Sequence, residues 1–207
     1  NANVSNNEIS DNDHTGIYLF GSGNNNITNN TLSGNFNYAV RLWGGPGAQS
    51  SHNYITNNTI TSNDNYGINL ARNSHNTTCE NNSIKSNNYG IHMQATRDNE
   101  IKGNTLSTND WFGIHLEAGS CNNTIINNAI DDCTYNYGAG LHIYDGSNNN
   151  SVFNNTIESN DGYGINISIS YNNRVFHNII KNNDLSNVRD DGENFWNATE
   201  VLRTNRL

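Results

Sequence analysis

Asparagine recurs at a nearly constant spacing along this chain, and the spacing limits the possible folds more than any other feature. The recurring residues are Asn7, Asn30, Asn58, Asn82, Asn104, Asn128, Asn155 and Asn178. Successive members lie 22 to 28 residues apart. A repeat of this length indicates a solenoid, in which each unit buries its apolar face only against neighbouring units.

Apolar residues keep a fixed phase relative to this series. Three residues before each Asn stand Val4, Ile27, Ile55, Cys79, Ile101, Ile125, Val152 and Val175. Two residues after each stand Ile9, Leu32, Ile60, Ile84, Leu106, Ile130, Ile157 and Ile180. A second Asn series follows at Asn12, Asn35, Asn63, Asn87, Asn109, Asn160 and Asn183, with Cys133 as its one exception. The few apolar residues are therefore placed as a narrow solenoid core requires.

Each repeat divides into short alternating stretches. Around Asn58, alternation puts Ile55, Ile60, Ile68 and Leu70 on one side of the chain. Asn at the corners tolerates left-handed backbone and can hydrogen-bond to its copies in neighbouring coils as a ladder. The sequence predicts an all-β fold, a right-handed parallel β-helix of about eight coils with Asn ladders.

We expect the β-helix to occupy residues 1–187 and residues 188–207 to form a C-terminal cap or the start of a linker to a further domain. Solenoid ends expose an open core and need covering, and Phe195 and Trp196 are suitable plugs. A short helix is predicted over 198–203. The chain opens in mid-repeat, so we expect it to be a piece of a longer protein.

Cys79 and Cys133 fall on inward positions and are predicted to be buried thiols, with Cys121 in a turn.

The net charge of −9, with only 10 Lys and Arg, limits the partners. Nucleic acid and anionic membranes select basic surfaces, so we expect neither as a partner. No stretch approaches the length of about 20 apolar residues that a membrane span needs, so no membrane insertion is predicted. The oligomeric state is left open.

The phrase Asn-Asn-Thr-Ile at 57–60 with Tyr-Gly-Ile at 66–68, repeated at 154–157 and 163–165, resembles the NosD-type right-handed β-helix repeat. That family is grouped with carbohydrate-binding proteins and sugar hydrolases, and the chain is closest in character to archaeal surface proteins and disaggregatase. The resemblance implies an extracellular or cell-surface protein that acts on an acidic polysaccharide. It is specific for the fold and weak for activity, because the matching residues are structural.

The strand that begins at each Gly-Ile pair carries unusual outward residues. They are Tyr18, Arg41, Asn69, His92, His115, His142 and Asn166, then Phe20, Trp43, Ala71, Gln94, Glu117, Tyr144 and Ser168. Aromatic rings beside hydrogen-bonding groups suit a sugar; the alternative is that these side chains only stack on one another between coils. Insertions at 44–51 and 134–138 border this strand and can wall a groove. The predicted substrate-binding residues are Tyr18, Arg41, Trp43, His92, Gln94, Trp111 and Tyr144.

Two kinds of chemistry fit this face, and the sequence leaves both open. Hydrolysis needs paired carboxylates, for which Glu117 and Asp145 are the candidates. Elimination or epimerisation needs a base beside a uronic carboxylate, with His115 or His142 as base and Arg41 as clamp. The predicted catalytic residues are therefore His115, Glu117, His142 and Asp145, in a polysaccharide hydrolase or lyase.

Three histidines in one row also make a metal site an alternative. The resemblance to NosD suggests copper for His92, His115 and His142. Neighbouring side chains on a flat sheet point in parallel instead of converging, so we predict no metal and no cofactor. The alternatives to a polysaccharide-acting protein are a non-catalytic surface-layer or adhesion module and a copper-chaperone module.

Overall fold

The protein is a right-handed parallel β-solenoid of about eight coils, seen here in a computed structural model that describes residues 1–197. Three parallel sheets run along its length, and the described residues contain no helix. Each coil passes through the first, second and third sheet in turn. The predicted fold is confirmed.

Strands of the first and second sheets contain three residues each, and those of the third contain five or six. The first sheet comprises β1 (Asn3–Ser5), β4 (Asn26–Thr28), β7 (Tyr54–Thr56), β10 (Thr78–Glu80), β13 (Glu100–Lys102), β16 (Thr124–Ile126), β19 (Ser151–Phe153), β22 (Arg174–Phe176) and β25 (Phe195–Asn197). The second comprises β2 (Glu8–Ser10), β5 (Thr31–Ser33), β8 (Thr59–Thr61), β11 (Ser83–Lys85), β14 (Thr105–Ser107), β17 (Ala129–Asp131), β20 (Thr156–Glu158) and β23 (Ile179–Lys181). The third comprises β3 (Thr15–Phe20), β6 (Tyr38–Trp43), β9 (Tyr66–Ala71), β12 (Tyr89–Gln94), β15 (Phe112–Glu117), β18 (Ala139–Tyr144), β21 (Tyr163–Ser168) and β24 (Ser186–Asp190).

The register places equivalent residues of successive coils beside each other. Cys79, for example, pairs with Ile55 on one side and Ile101 on the other. Inward residues of all three sheets form one apolar core that runs the length of the solenoid. Burying an apolar side chain contributes about 1.5–3 kcal/mol, so the few aliphatic residues stabilise the fold because most of them face inward.

Asparagine ladders line the corners of the coils. Asn82 donates from its backbone N–H and its amide to Oδ1 of Asn104, at 2.9 and 3.0 Å, and Asn104 does the same to Asn128. Both predicted series form such ladders. A third ladder, which was not predicted, lies just before the first-sheet strands and is interrupted at Thr77. Its members are Asn25, Asn53, Asn99, Asn123, Asn150, Asn173 and Asn194.

Tight corners also require particular residues beside the ladders. Asn57 and Asn81 stand just before ladder asparagines with φ of 56° and 54°, a left-handed conformation that Asn tolerates better than most residues. Gly113 is the second residue of β15, where a Cβ atom would clash with Ile130 Cγ2. The Gly of each Gly-Ile pair is therefore required because neighbouring strands approach too closely to leave room for a side chain.

The three cysteines are free thiols. Cys79 and Cys133 are buried as predicted, and Cys133 replaces Asn in the second ladder, where its backbone N–H still donates to Asn160 Oδ1 at 3.1 Å. Nothing among residues 1–197 forms a helix that could cross a membrane.

Strand pairing continues past the predicted boundary at residue 187. β24 pairs with β21, and β25 pairs with β22. Trp196 therefore lies in the next coil at the position equivalent to the core residue Val175. Trp196 packs against the core and donates from Nε1 to Asp190 Oδ2 at 2.6 Å. Phe195 is 61 % exposed, so its assignment as a plug is wrong, because alternation along β25 turns it outward. The helix predicted over 198–203 lies outside the described residues, and the role of 188–207 as a cap stays a prediction.

Trp196→Ala is expected to lower the midpoint of equilibrium unfolding and to promote self-association, because it uncovers the last core positions. The matched control is Phe195→Ala, which removes an aromatic ring that faces solvent. Urea unfolding followed by circular dichroism, with light scattering of the folded samples, measures both effects. Equal midpoints and equal scattering for the two variants would place the cap elsewhere.

Candidate functional site

The outward face of the third sheet carries three rows of side chains that run along the solenoid. The tyrosine row is Thr15, Tyr38, Tyr66, Tyr89, Phe112, Ala139, Tyr163 and Ser186. The middle row is Tyr18, Arg41, Asn69, His92, His115, His142, Asn166 and Arg189. The third row is Phe20, Trp43, Ala71, Gln94, Glu117, Tyr144 and Ser168.

Rings of these rows stack at about the spacing of the coils. The rings of Tyr38 and Tyr66 lie 5.0 Å apart, and those of His115 and His142 lie 4.8 Å apart with 14° between their planes. The middle row was predicted to be exposed, but His92 and His115 are only 4 % and 6 % exposed. Their outward rings are covered because side chains of the tyrosine row, such as Tyr66 over His92 at 5.0 Å, fold against them.

Glu117 is the centre of a hydrogen-bonded group. His92 Nε2 donates to Glu117 Oε1 at 3.1 Å, and Gln94 Nε2 donates to the same oxygen at 2.9 Å. Asn69 Nδ2 lies 2.9 Å from His92 Nδ1, so a neutral His92 with its proton on Nε2 satisfies both contacts. The hydrogen bond from His92 holds the pKa of Glu117 down at about 2, against the raising effect of burial. Glu117 is therefore an ionised carboxylate.

His115 and His142 are neutral imidazoles. Burial lowers the pKa of His115 to about 3, and the neighbouring rings of His142 and His92 lower it further in the same direction. Burial also lowers the pKa of His142, to about 4. Neither nitrogen of His115 has a hydrogen-bond partner among residues 1–197, and neither does Nδ1 of His142. Each ring thus keeps a nitrogen lone pair that can accept a proton or bind a ligand.

Asp145 does not join this group within the described part of the chain. It lies in the turn after β18, exposed, with a φ of 51°, and its carboxylate has no hydrogen-bond or ion-pair partner among residues 1–197. The structure brings together Glu117, His92, Gln94 and His115, whereas the predicted pair of Glu117 and Asp145 stays a prediction.

Arg41 lies among aromatic rings near the other end of the face. Its Cζ is 4.2 Å from the ring centroid of Trp43, 4.5 Å from that of Tyr38 and 5.6 Å from that of Tyr18. Within residues 1–197 no carboxylate pairs with it, and Nε is buried without a partner. The guanidinium is therefore an uncompensated positive charge held in place by rings, a suitable partner for an anionic group.

The insertion at 134–138 does place aromatic rings at the edge of this face. Trp111 stacks on Tyr135 at 5.3 Å, and Tyr135 meets Tyr137 edge-on at 6.0 Å. Trp111 and Tyr137 are 44 % and 72 % exposed. Tyr144 stacks on His142 at 5.5 Å and is also exposed. These rings offer apolar surfaces to a ligand beside the histidines.

The tyrosine row was not predicted from the sequence. Tyr66 and Tyr89 cover the buried histidines, and burial raises the pKa of Tyr66 to about 12, so its hydroxyl stays protonated. A signal was present, because the residue before each Gly of the Gly-Ile pairs is aromatic in most coils. Those tyrosines were treated only as part of the repeat phrase.

The ligand atoms of His92, His115 and Glu117 lie within 4.8 Å of one another. This group differs from the predicted row of three histidines, because Glu117 replaces His142. Two imidazoles and one carboxylate form a donor set that suits zinc and related divalent ions.

A family model described as "Right handed beta helix region" matches residues 1–152 and 48–200. No curated protein sequence is significantly similar to the chain. Among solved structures, the A-module of a mannuronan C-5 epimerase from Azotobacter vinelandii is similar with a TM-score of 0.76 and 15% identity, over 98% of this chain and 59% of that one. A DFA-IIIase from Arthrobacter chlorophenolicus without its lid has a TM-score of 0.74 and 15% identity, over 92% and 52%.

The enzymatically active domain of tailspike protein 2 from bacteriophage CBA120 has a TM-score of 0.68 and 17% identity, over 90% of this chain and 33% of that one. At these identities the likeness is one of fold. The chain spans between a third and three fifths of the length of these proteins.

Proposed function

We propose that this chain, which belongs to the right-handed beta-helix family, binds an acidic polysaccharide along the outward face of its third sheet and cleaves it there. The observation that carries the proposal is the composition of this one face. A ring-held Arg41, with no carboxylate partner among residues 1–197, stands at one end, and the ionised Glu117 with neutral histidines stands three coils away. Three coil rises are about 14 Å, long enough for several sugar units.

The charge of the protein supports an anionic group at Arg41. The chain has a net charge of −9, yet the half-buried Arg41 has no ion-pair partner among residues 1–197, so its charge is available to an anionic ligand. The rings of Tyr18 and Trp43 fix the guanidinium and leave their own surfaces for sugar rings. The solved proteins of similar fold include a mannuronan C-5 epimerase and a periplasmic alginate epimerase, which supports a polysaccharide partner.

Elimination beside a uronic carboxylate fits the charges of this face better than hydrolysis. Hydrolysis requires one carboxyl group to remain protonated as an acid, whereas the low pKa of Glu117 keeps that group ionised. Elimination requires a base with a free lone pair, and His115 and His142 are neutral with nitrogens that make no hydrogen bond within residues 1–197. We assign the base to one of these two imidazoles, with Glu117 as the group that orients its neighbours.

Within this function we favour a disaggregatase-like protein of a cell surface, as the repeat phrase suggests. A secreted or surface location agrees with structural neighbours described as a periplasmic epimerase and a phage tailspike. We include in this proposal a relationship to NosD-type proteins and to archaeal surface proteins. An acidic cell-surface polysaccharide, beside alginate and pectin, is therefore the first substrate to test.

Incubation with these acidic glycans tests the function directly. We expect oligosaccharides to be released, together with absorbance from the unsaturated ends that elimination creates. Release without that absorbance would indicate hydrolysis. Binding without any release would favour the adhesion module, and the absence of both would contradict a glycan partner.

Trp43→Ala is expected to weaken glycan binding by about 5- to 30-fold, because loss of a stacking surface and of the support for Arg41 costs about 1–2 kcal/mol. The rate of the bound complex should change little, since Trp43 holds the ligand without taking part in bond breaking. Tyr54→Ala is the control, because Tyr54 is an exposed ring on the first sheet. Isothermal titration with a glycan fragment measures the affinities, and equal losses in both variants would count against a specific site.

A further inference from the structure

His115 presents a problem that sugar binding does not explain. The residue is buried, with only 6 % of its surface exposed, yet neither ring nitrogen has a hydrogen-bond partner among residues 1–197. Buried polar groups nearly always have partners, so an exception calls for an explanation such as a bound ion. The nitrogens of His115 lie beside His92 and Glu117, which offer further ligand atoms.

Distances within this group suit a single ion. Zinc binds His nitrogen and carboxylate oxygen at about 2.0–2.2 Å, so adjacent ligand atoms in a tetrahedron stand about 3.3–3.5 Å apart. His92 Nε2 and Glu117 Oε1 are already 3.1 Å apart, and all three ligand atoms lie within 4.8 Å. His115 must therefore approach by up to about 1.4 Å. That movement breaks no hydrogen bond among residues 1–197, because its nitrogens make none there.

We propose that His92, His115 and Glu117 together bind one divalent transition-metal ion of the zinc type. Two imidazole nitrogens and one carboxylate oxygen favour such ions over calcium and magnesium, which prefer oxygen ligands. Three protein ligands leave a fourth position for water or a ligand oxygen. The group opens to solvent at Glu117, whose side chain is 26 % exposed, so that position is accessible.

Asn69 is the positioning residue of this site. Binding through Nε2 of His92 moves the ring proton to Nδ1, which now faces the Asn69 amide nitrogen at 2.9 Å. Rotation of that amide presents Oδ1 as the acceptor for the Nδ1 proton. Partners of this kind orient metal-binding histidines, and their loss typically weakens metal binding by about 10–100-fold.

The ion also assigns roles within the elimination proposed above. A metal beside Glu117 can take the uronic carboxylate of the substrate in its open position, and His142 then remains as the free base, stacked 4.8 Å from His115. This assignment rests on the proposed function, whereas the binding of the ion does not.

Titration of the metal-stripped, tag-free chain with ZnCl₂ alone tests the site by calorimetry, with no glycan present. We expect one site in the intact chain and no binding of CaCl₂. Glu117→Gln should weaken zinc binding by at least about 10-fold and Asn69→Ala by about 10–100-fold. His177→Gln, at an exposed histidine, and His142→Gln should leave it unchanged.

Cobalt absorbance gives a second readout, since a site with imidazole ligands should produce visible bands that Glu117→Gln removes. Glu117→Gln preserves the shape of the side chain, so it decides the question even if variants of His115 fail to fold. The proposal is overturned if the intact chain binds no zinc, if Glu117→Gln binds it equally well, or if His177→Gln abolishes the site. None of these results depends on glycan cleavage.

Discussion

Glu117→Gln is expected to slow glycan cleavage by about 10²–10⁴-fold, the effect typical of losing a group that moves or positions a proton. Gln keeps an oxygen that accepts from His92 Nε2 and Gln94 Nε2, so the fold and the hydrogen bonds should remain while the negative charge is lost. Initial rates of unsaturated oligosaccharide formation, with circular dichroism of the purified variant, measure the two effects separately.

Glu100→Gln is the matched control, because Glu100 lies on the first sheet, where it pairs with Lys102. Its rate should equal that of the parent chain. His142→Gln should slow cleavage as Glu117→Gln does if His142 is the base. If Glu117→Gln and His142→Gln both cleave at the parental rate, the third-sheet face is not the active site.

The fold was predictable because its determinants repeat along the sequence. Residues such as Ile55 and Ile60 lie beside their own copies one coil away, so periodicity reports both the strand and its neighbour. The third Asn ladder was equally predictable, because from Asn25 to Asn173 its members stand five residues before those of the first series, with Thr77 as the interruption. The strands β24 and β25 were not predicted because their segments lack the repeat phrase.

The site was predictable only as a row, since register alone places His92, His115 and His142 in line. What the sequence could not give is lateral contact between rows. His92 belongs to the middle row and Glu117 to the third row of the next coil, yet the two side chains share a hydrogen bond. Whether they meet depends on their side-chain rotamers, which the register does not determine. For the same reason the burial of His115 beneath the tyrosine row was missed, because neighbouring rings fold over one another instead of standing upright on the sheet.

Asn104→Ala is expected to lower the free energy of unfolding by roughly 1–3 kcal/mol for each buried group left without a partner. Oδ1 of Asn104 accepts the backbone N–H of Asn82 at 2.9 Å, and its Nδ2 donates to the carbonyl of Cys79 at 3.0 Å. The buried Asn82 N–H then loses its acceptor, and its ladder is cut at mid-length. A loss of this size is a large part of the 5–15 kcal/mol that stabilises a typical domain.

Asn88→Ala is the control for that experiment, because its side chain is half-buried and makes no hydrogen bond within residues 1–197. Urea unfolding of both variants should give a lower midpoint for Asn104→Ala alone. The ladder differs from a surface network because each amide bonds to the next coil and to a core-strand carbonyl, so its loss weakens two adjoining coils at once. If the two variants unfold at the same midpoint, the ladders follow from the coil geometry without stabilising it, and the apolar core alone sets the stability.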